Sequence, residues 1–505
     1  MKISDLVSEA DTNRTPEELL RSIKRKTFLA TPPTTLLSIV SYRLTHFLPI
    51  PIIIAVGALL YIFYDVLELW NAAAKRSREI DSELPFTATL ISMAANHATP
   101  TTTLGNTLHI SSLRRTAREY LNIQKYSRLY HLTPAQAADK LAEHHPSTRF
   151  KTFLRTIAAA ERGVGDPYSS LSDIAEAELK KAYQETEMAA EKLGVASSTV
   201  LMMFAVLPLT LTIFSLITNQ PLLLTFSYAT TLPALLLVNF LLEQAYPQTL
   251  KPRTHRPPTP LIIVCALVSP TPIVVLRSLP LEYTVATALF ICTLPIALYY
   301  TSTVREHSTL IATLPQLSRD IAEEAKKGSP PTIAMRKLVA SAKYPKGLLL
   351  SMYDKRHPRP YIAQAYMDTL AESEKLGAGA EELERVAETF NAIANTHSSY
   401  RSKSYFFKLT AYASAGILAA ASLAVAITMR KLSSTQGYTT MFTASLLPHF
   451  TPNLQIYVYT GVIINSYILG LLAGKAHTGS FLLGLLDALI STAISTTIIA
   501  VGGAV

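Results

Sequence analysis

The chain has 505 residues, a mean hydropathy of +0.25, 49% hydrophobic and only 16% charged residues, and a formal net charge of +10. An average soluble domain carries ~25% charged residues, so the composition excludes a highly solvated chain and points to one that spends much of its length in lipid. The basic excess is spread over loops and juxtamembrane sites, which suits anionic lipid and argues against nucleic acid as a partner.

At the amino end, residues 1–27 show no charged segment followed by an apolar run, so no cleavable signal peptide is expected, and Lys24-Arg25-Lys26 predicts a cytoplasmic segment. Residues 50–70 read as one membrane span with Trp70 as an interfacial anchor. Residues 28–48 are apolar but interrupted by Pro32, Pro33, Arg43 and His46. If they also cross, 28–70 is a hairpin turning at Pro49 and Pro51, and the chain has nine spans. Eight spans with an external amino terminus is the alternative.

A polar stretch follows, residues 71–194, and a second occupies residues 303–404; the two share their opening and their ending. Residues 79–104 (EIDSELPFTATLISMAANHATPTTTL) align at an offset of 230 with residues 309–334 (TLIATLPQLSRDIAEEAKKGSPPTIA), pairing Leu84-Pro85 with Leu314-Pro315, Ile91 with Ile321, Ala95 with Ala325 and Pro100 with Pro330. Each copy closes on Gly followed by Leu-x-x-Ile/Val-Ala-Glu: Gly165, Leu171, Ile174, Ala175 and Glu176, then Gly377, Leu383, Val386, Ala387 and Glu388. The spacing of Leu310, Leu314, Leu317, Ile321, Ala322 and Ala325 predicts an amphipathic helix. Thr99-Pro100, Thr133-Pro134 and Ser329-Pro330 predict N-caps with proline at the first helical position. The final helix of each copy is expected to run unbroken into the membrane, from about Pro167 past Val200 and from Glu381 past Ala415. No strand-like alternation occurs, so the fold class is all-α: a polytopic membrane protein with two duplicated cytoplasmic helical bundles.

Four spans are expected between the copies, at 195–218, 222–243, 259–279 and 281–301 within 195–302. Three more, at 405–429, 454–474 and 479–501, are expected within 405–505. Four spans place both polar domains on one side. The loop with Lys251, Arg253, His255 and Arg256 makes that side the cytoplasm, with Lys475 also inside.

Residue patterns that could carry chemistry are weaker. Gly163-Val164-Gly165-Asp166 spells the GxGD of intramembrane aspartyl proteases, with Asp487 as a second carboxylate, but Asp166 lies in a polar domain beside Pro167. Asp487, read as mid-span, is expected to make a structural contact between helices; ion translocation would need more such groups. His144-His145 lacks partners at metal-ligand spacing, Cys265 and Cys292 read as small hydrophobes, and no GxxxxGK[ST] is present. No catalytic residue, metal or cofactor is expected. The polar domains are nearly balanced, with 16 Lys/Arg against 14 Asp/Glu in 74–192 and 15 against 12 in 303–404.

The two copies, the basic Lys75-Arg76-Ser77-Arg78 before the first, and the EID-x-x-LP opening after a leading span resemble the type II secretion F-domain family. These are the inner-membrane platform proteins of type IV pili, type II secretion systems and archaella. Four spans between the copies resemble the archaeal branch. The first copy departs from the family in having Asn96-His97-Ala98-Thr99 where a Gly-containing turn is frequent, as Lys327-Gly328-Ser329 supplies in the second.

The resemblance implies a multi-pass cell-membrane scaffold without catalysis of its own. Its partners would be a cytoplasmic hexameric secretion ATPase, pilin or archaellin subunits, and the bilayer; a homodimer is compatible with it. The candidate ATPase-docking residues are Arg319, Glu323, Glu324, Lys326 and Lys327 in the second copy and Arg114, Arg115 and Arg118 in the first, with Lys355-Arg356-His357-Pro358-Arg359 as a further basic cluster. A secondary transporter is the alternative reading, since internal repeats and many spans suit one too.

Overall fold

The computed structural model of the chain describes residues 9–10, 17–22, 24–27, 49–95, 98–164, 166–218, 231–246, 268, 280–340, 344, 361–434 and 452–503. Among the described residues every regular element is a helix. Five helices are long and apolar enough to cross a bilayer: Ser169–Phe214, Leu281–Lys326, Ala380–Thr428, Gln455–Thr478 and Leu485–Gly502. They contain the expected spans 195–218, 281–301, 405–429 and 454–474 in whole or large part, and most of 479–501. The expected spans 28–48 and 259–279 (residue 268 apart), the loop 247–257 and the cluster 355–359 lie outside the described residues, as does 222–230 of the span at 222–243.

The chain divides into two compact units, Met1–Glu178 with Glu372–Ala378, and Leu179–Ala371 with Gly379–Val505. The first unit holds α1 (Pro49–Ala94), α2 (Pro100–Asn106), α3 (Arg114–Tyr130), α4 (Pro134–His144), α5 (Thr148–Glu161) and the start of α6 (Pro167–Leu201). Its starts follow side-chain chemistry. Thr99 caps α2 with Pro100 in the first turn. Thr133 and Gln136 form a reciprocal capping box on α4, and Ser147 caps α5. One stripe of α1 (Ile80, Leu84, Ala88 and Ile91) packs with Leu141, Phe150, Phe153, Leu154 and Ile157 as a single buried core, closed by Leu171 and Ala175 of α6.

In the second unit, α6 passes through one π turn, Met202–Val206, into α7 (Leu207–Thr218). Pro208 has no N–H for the carbonyl of Phe204, and the wider turn, with Leu207 N–H bonded to Met202 O, accommodates its ring. Then come α8 (Thr231–Ala245), α9 (Leu281–Lys326), α10 (Pro331–Ala340), α11 (Tyr361–Lys375), α12 (Ala380–Ser434), α13 (Pro452–Thr478) and α14 (Leu485–Gly503). The helices α9, α12, α13 and α14 pack on one another. Two buried clusters fix the bundle, one around Phe204, Val238, Phe407, Leu469 and Leu472, the other around Leu418, Val458, Val462 and Ile463. Between α13 and α14 the packing is backbone on backbone: a Cβ on Gly474 would collide with Gly484, and one on Gly470 with Ser491 and the carbonyl of Asp487. Gly470 and Gly474 are a G-x-x-x-G pair that lets the two helices approach this closely.

The repeated sequences take matching local forms. Helices α1 and α9 each span 46 residues and carry Pro85 and Pro315 in their interiors. Leu84 and Leu314 are buried, as are Ile91 and Ile321. At the copies' ends, Leu171 and Leu383 are buried near the starts of α6 and α12, and Ala175 and Ala387 are buried one turn later. One expectation needs correcting. The helix after Ser329 starts at Pro331, so Pro330 holds the cap position and its carbonyl takes the Ala334 N–H. The glycine that ends the helix before the closing motif is Gly163 in the first copy, with φ +70, as Gly377 with φ +71 is in the second. Both close Schellman caps, with Val164 N–H on Ala159 O and Ala378 N–H on Ser373 O. Gly165 lies outside the described residues. The composition boundaries at 70/71, 194/195, 302/303 and 404/405 each fall inside a continuous helix (α1, α6, α9 and α12) rather than at a linker.

Candidate functional site

The second-copy candidates sit at the carboxyl end of α9. Its terminus is closed by Gly328 in the left-handed region, with Ser329 N–H bonded to Glu324 O and Gly328 N–H to Ala325 O. Lys326 and Lys327 in this last turn complement the partial negative charge of the helix end. Lys326 pairs with Glu384 at 2.8 Å, and Lys327 with Glu324 at 2.6 Å. That hydrogen bond from Lys327 holds the Glu324 carboxyl below the usual carboxylate range. Arg319 and Glu323 are exposed, and neither forms an ion pair among the described residues. The five candidates therefore separate into a self-paired group and two side chains open to a partner.

The first-copy candidates lie on α3. Its amino end has no cap from its own N-cap residue; instead the carboxylate of Glu83, reaching across from α1, accepts the N–H groups of Arg115 (3.0 Å) and Thr116 (2.7 Å). A carboxylate there satisfies orphan donors and meets the positive helix end. Arg114 and Arg118 are exposed, whereas Arg115 turns inward to Glu119 at 3.0 Å. Glu119 itself is fully buried, held by Arg76 through two contacts of 2.9 and 2.5 Å and by Asn122 at 3.1 Å. His145, also fully buried, accepts the Ser147 N–H on Nδ1, which leaves its proton on Nε2, 3.7 Å from Glu119.

Burial alone would raise the Glu119 carboxyl, but the contacts and charges of His145 and Arg76 outweigh it and hold the group well below the usual carboxylate range. Burial, the larger influence, keeps the His145 imidazole below its ordinary 6.5, against the upward pull of Glu119. Linkage then fixes a sign. Between the folded value of His145 and 6.5 the unfolded chain binds more protons, so stability is full above 6.5 and falls as pH drops. The Glu119 contribution is present above about 4.5 and is lost only in stronger acid. Asp81, raised by burial, acts in the opposite direction. Hydrogen exchange across 114–161 of the full chain, corrected for intrinsic rates, should lose protection from pH 7 to pH 5.5 more steeply in the wild type than in His145→Gln. The difference is at most about 1.4 kcal/mol per pH unit. Equal slopes would show that His145 does not titrate this way.

In the second unit, two acid–base pairs sit at helix ends. Asp487, expected mid-span, lies in the first turn of α14, with Lys408 at 2.5 Å and the Tyr412 hydroxyl donating at 2.6 Å, both from α12. The α14 helix begins at Leu485, six residues later than the sequence suggests, because Gly479, with φ +77, ends α13 and a turn intervenes. Lys475, expected in that loop, is instead in the last turn of α13, buried and bonded to Glu243 at 2.8 Å and to Asn239. Asp166 of the GxGD sequence presents its backbone carbonyl to the Ser170 N–H at the start of α6. Cys292 is a half-buried free thiol, and Cys265 lies outside the described residues.

Sequence reasoning missed the Arg76–Glu119–His145 group and the Glu83 cap, whose partners lie between 26 and 43 residues apart in no periodic pattern. It also passed over Gly470-x-x-x-Gly474, which was legible as a motif. Compared with known proteins, the chain matches no family model, no curated protein and no solved structure.

Proposed function

We propose that the chain is the membrane platform of a type IV pilus-like assembly or secretion machine of the archaeal pilus or archaellum kind. In this reading it couples a cytoplasmic hexameric ATPase to extraction of pilin subunits from the cell membrane and their addition to a filament. The observation that carries it is the pair of sequence copies, their openings aligned at an offset of 230 and their endings at 212, each opening on a 46-residue helix with an interior Leu-Pro and closing on a long helix that continues into apolar sequence. Duplicated cytoplasmic bundles and nine spans are part of the proposal. So is the assignment of docking to Arg319 and Glu323, with Arg114 and Arg118 in the first copy. A secondary transporter is favoured by one feature, the Lys408–Asp487 and Lys475–Glu243 pairs within apolar helices. The repetition, however, lies in the polar sequences, where a transporter gains nothing from it.

Arg319→Glu with Glu323→Lys tests the platform reading. Both side chains are exposed, so stability should move by less than about 0.5 kcal/mol. Capture of the host's hexameric secretion ATPase by the solubilised chain should fall about tenfold, the loss expected when close interfacial charges are reversed. Failure of the wild-type chain to capture that ATPase at all would remove the platform reading; unchanged capture by the variant would remove this surface from it.

A further inference from the structure

The second unit contains a cavity of about 60 Å³ that the platform reading does not use. A single water needs about 10–15 Å³ on that scale, so the space holds a small polyatomic group. Its polar wall comes from three helices: His307 and Ser308 of α9, His397 and Arg401 of α12, and His477 and Thr478 of α13. Among the described residues no aspartate or glutamate lines it. The acids Asp487 and Glu243 are each matched to a lysine, Lys408 and Lys475, and stand outside the lining. Arg401 is exposed and has no carboxylate partner among the described residues. The Ser404 hydroxyl donates to the Arg401 carbonyl and accepts the Nδ1–H of His477 at 2.9 Å, which fixes the His477 ring as part of the wall and leaves its Nε2 an acceptor.

The three lining sites share a level. His307 follows the apolar stretch 281–301 of α9, Arg401 precedes the stretch 405–429 of α12, and His477 follows the stretch 454–474 of α13. All three sit just beyond the same end of these apolar stretches, where a bilayer spanning the stretches would place its phosphates. A guanidinium offers a planar fork of donors that matches phosphate oxygens, and imidazoles and hydroxyls add single donors. Among the described residues this wall has donors and a positive charge in excess and no anion of its own.

We propose that this cavity binds a phosphate group, gripped by Arg401 with His307, Ser308 and His397, and supplied by an anionic lipid headgroup or by free phosphate. The inference needs the spans to cross a bilayer but does not rest on the platform reading. Native mass spectrometry of the full chain in detergent provides the test, with phosphatidylglycerol, diacylglycerol and inorganic phosphate as separate probes. Retention of phosphatidylglycerol above diacylglycerol, undiminished by inorganic phosphate, identifies a lipid headgroup. Phosphate adducts that displace the lipid identify a site for the free ion. Arg401→Gln should lower retention about tenfold, as one lost charge-assisted contact does, with Arg401→Lys intermediate. Equal retention of phosphatidylglycerol and diacylglycerol by the wild type, with no phosphate adduct, would overturn the proposal whatever the variants do. Undiminished retention by a folded Arg401→Gln would overturn it as well.

Discussion

Glu119→Gln is expected to destabilise the first unit by ~3–5 kcal/mol, the range for removing one partner of a buried ion pair. The size follows from what remains. Arg76 is only 4% exposed and directs two nitrogens at the Glu119 carboxylate, so a neutral amide leaves a buried guanidinium with its desolvation uncompensated. His145 and Arg115 lose the same counter-charge, although Arg115 can swing outward. Removing both charges together should be milder, because the desolvation penalty of the arginine disappears with its partner. Arg76→Met with Glu119→Leu is therefore expected to cost less than Glu119→Gln alone. Thermal unfolding of the full chain, followed by hydrogen exchange across 114–161, reports both variants. A double variant worse than the single one would mean that the pair is a net source of stability.

How far the sequence carried depended on the range of the interaction. Periodicity found the apolar stripe of α9, and the structure buries Leu310, Leu314, Leu317, Ile321 and Ala322, leaving Ala325 half-buried. Local capping chemistry found Thr99 and Thr133, because donor and acceptor lie within three residues. It misplaced the start of α10 by one residue, where Pro330 and Pro331 are adjacent and only the second fits the first helical turn. Interior prolines were not a break: Pro85 and Pro315 sit within long helices held on a packed face. Hydropathy anticipated the five helices long and apolar enough to cross a bilayer but placed the start of α14 too early, since Gly479 and the following turn are apolar enough to pass for helix. The charge at Lys475 was read as a loop cation when it is neutralised inside the bundle by Glu243, 232 residues away. Interactions of that range leave no local pattern; among the docking candidates the Lys326–Glu384 pair is of this kind, whereas Lys327–Glu324 is a local i,i+3 contact. Only coordinates separate Arg319 and Glu323 from the paired Glu324, Lys326 and Lys327.

On the platform reading, Ala394→Pro is expected to leave a chain that inserts in the membrane and captures the secretion ATPase yet assembles no filament. The helix α12 runs for 55 residues from Ala380 to Ser434, roughly 80 Å at 1.5 Å per residue, and joins polar sequence to the apolar stretch 405–429 without glycine or proline before Gly416. If a stroke is passed to the membrane, a helix of this length is stiff enough to carry it only while its hydrogen-bond ladder is whole. Proline at 394 removes the N–H that serves the carbonyl of Phe390 and pushes a ring against it, at a cost of ~3 kcal/mol. Ala394 is 7% exposed, and Phe390 stacks edge-on against Tyr366 at 4.7 Å, so the kink falls inside a packed contact. Ala394→Gly is the matched control: it keeps the N–H, costs only about 1 kcal/mol, and should preserve assembly. Filament counts in the host, ATPase capture, and exchange protection across 385–405 separate the outcomes. Normal filaments from a stably expressed Ala394→Pro chain would show that transmission does not run through α12.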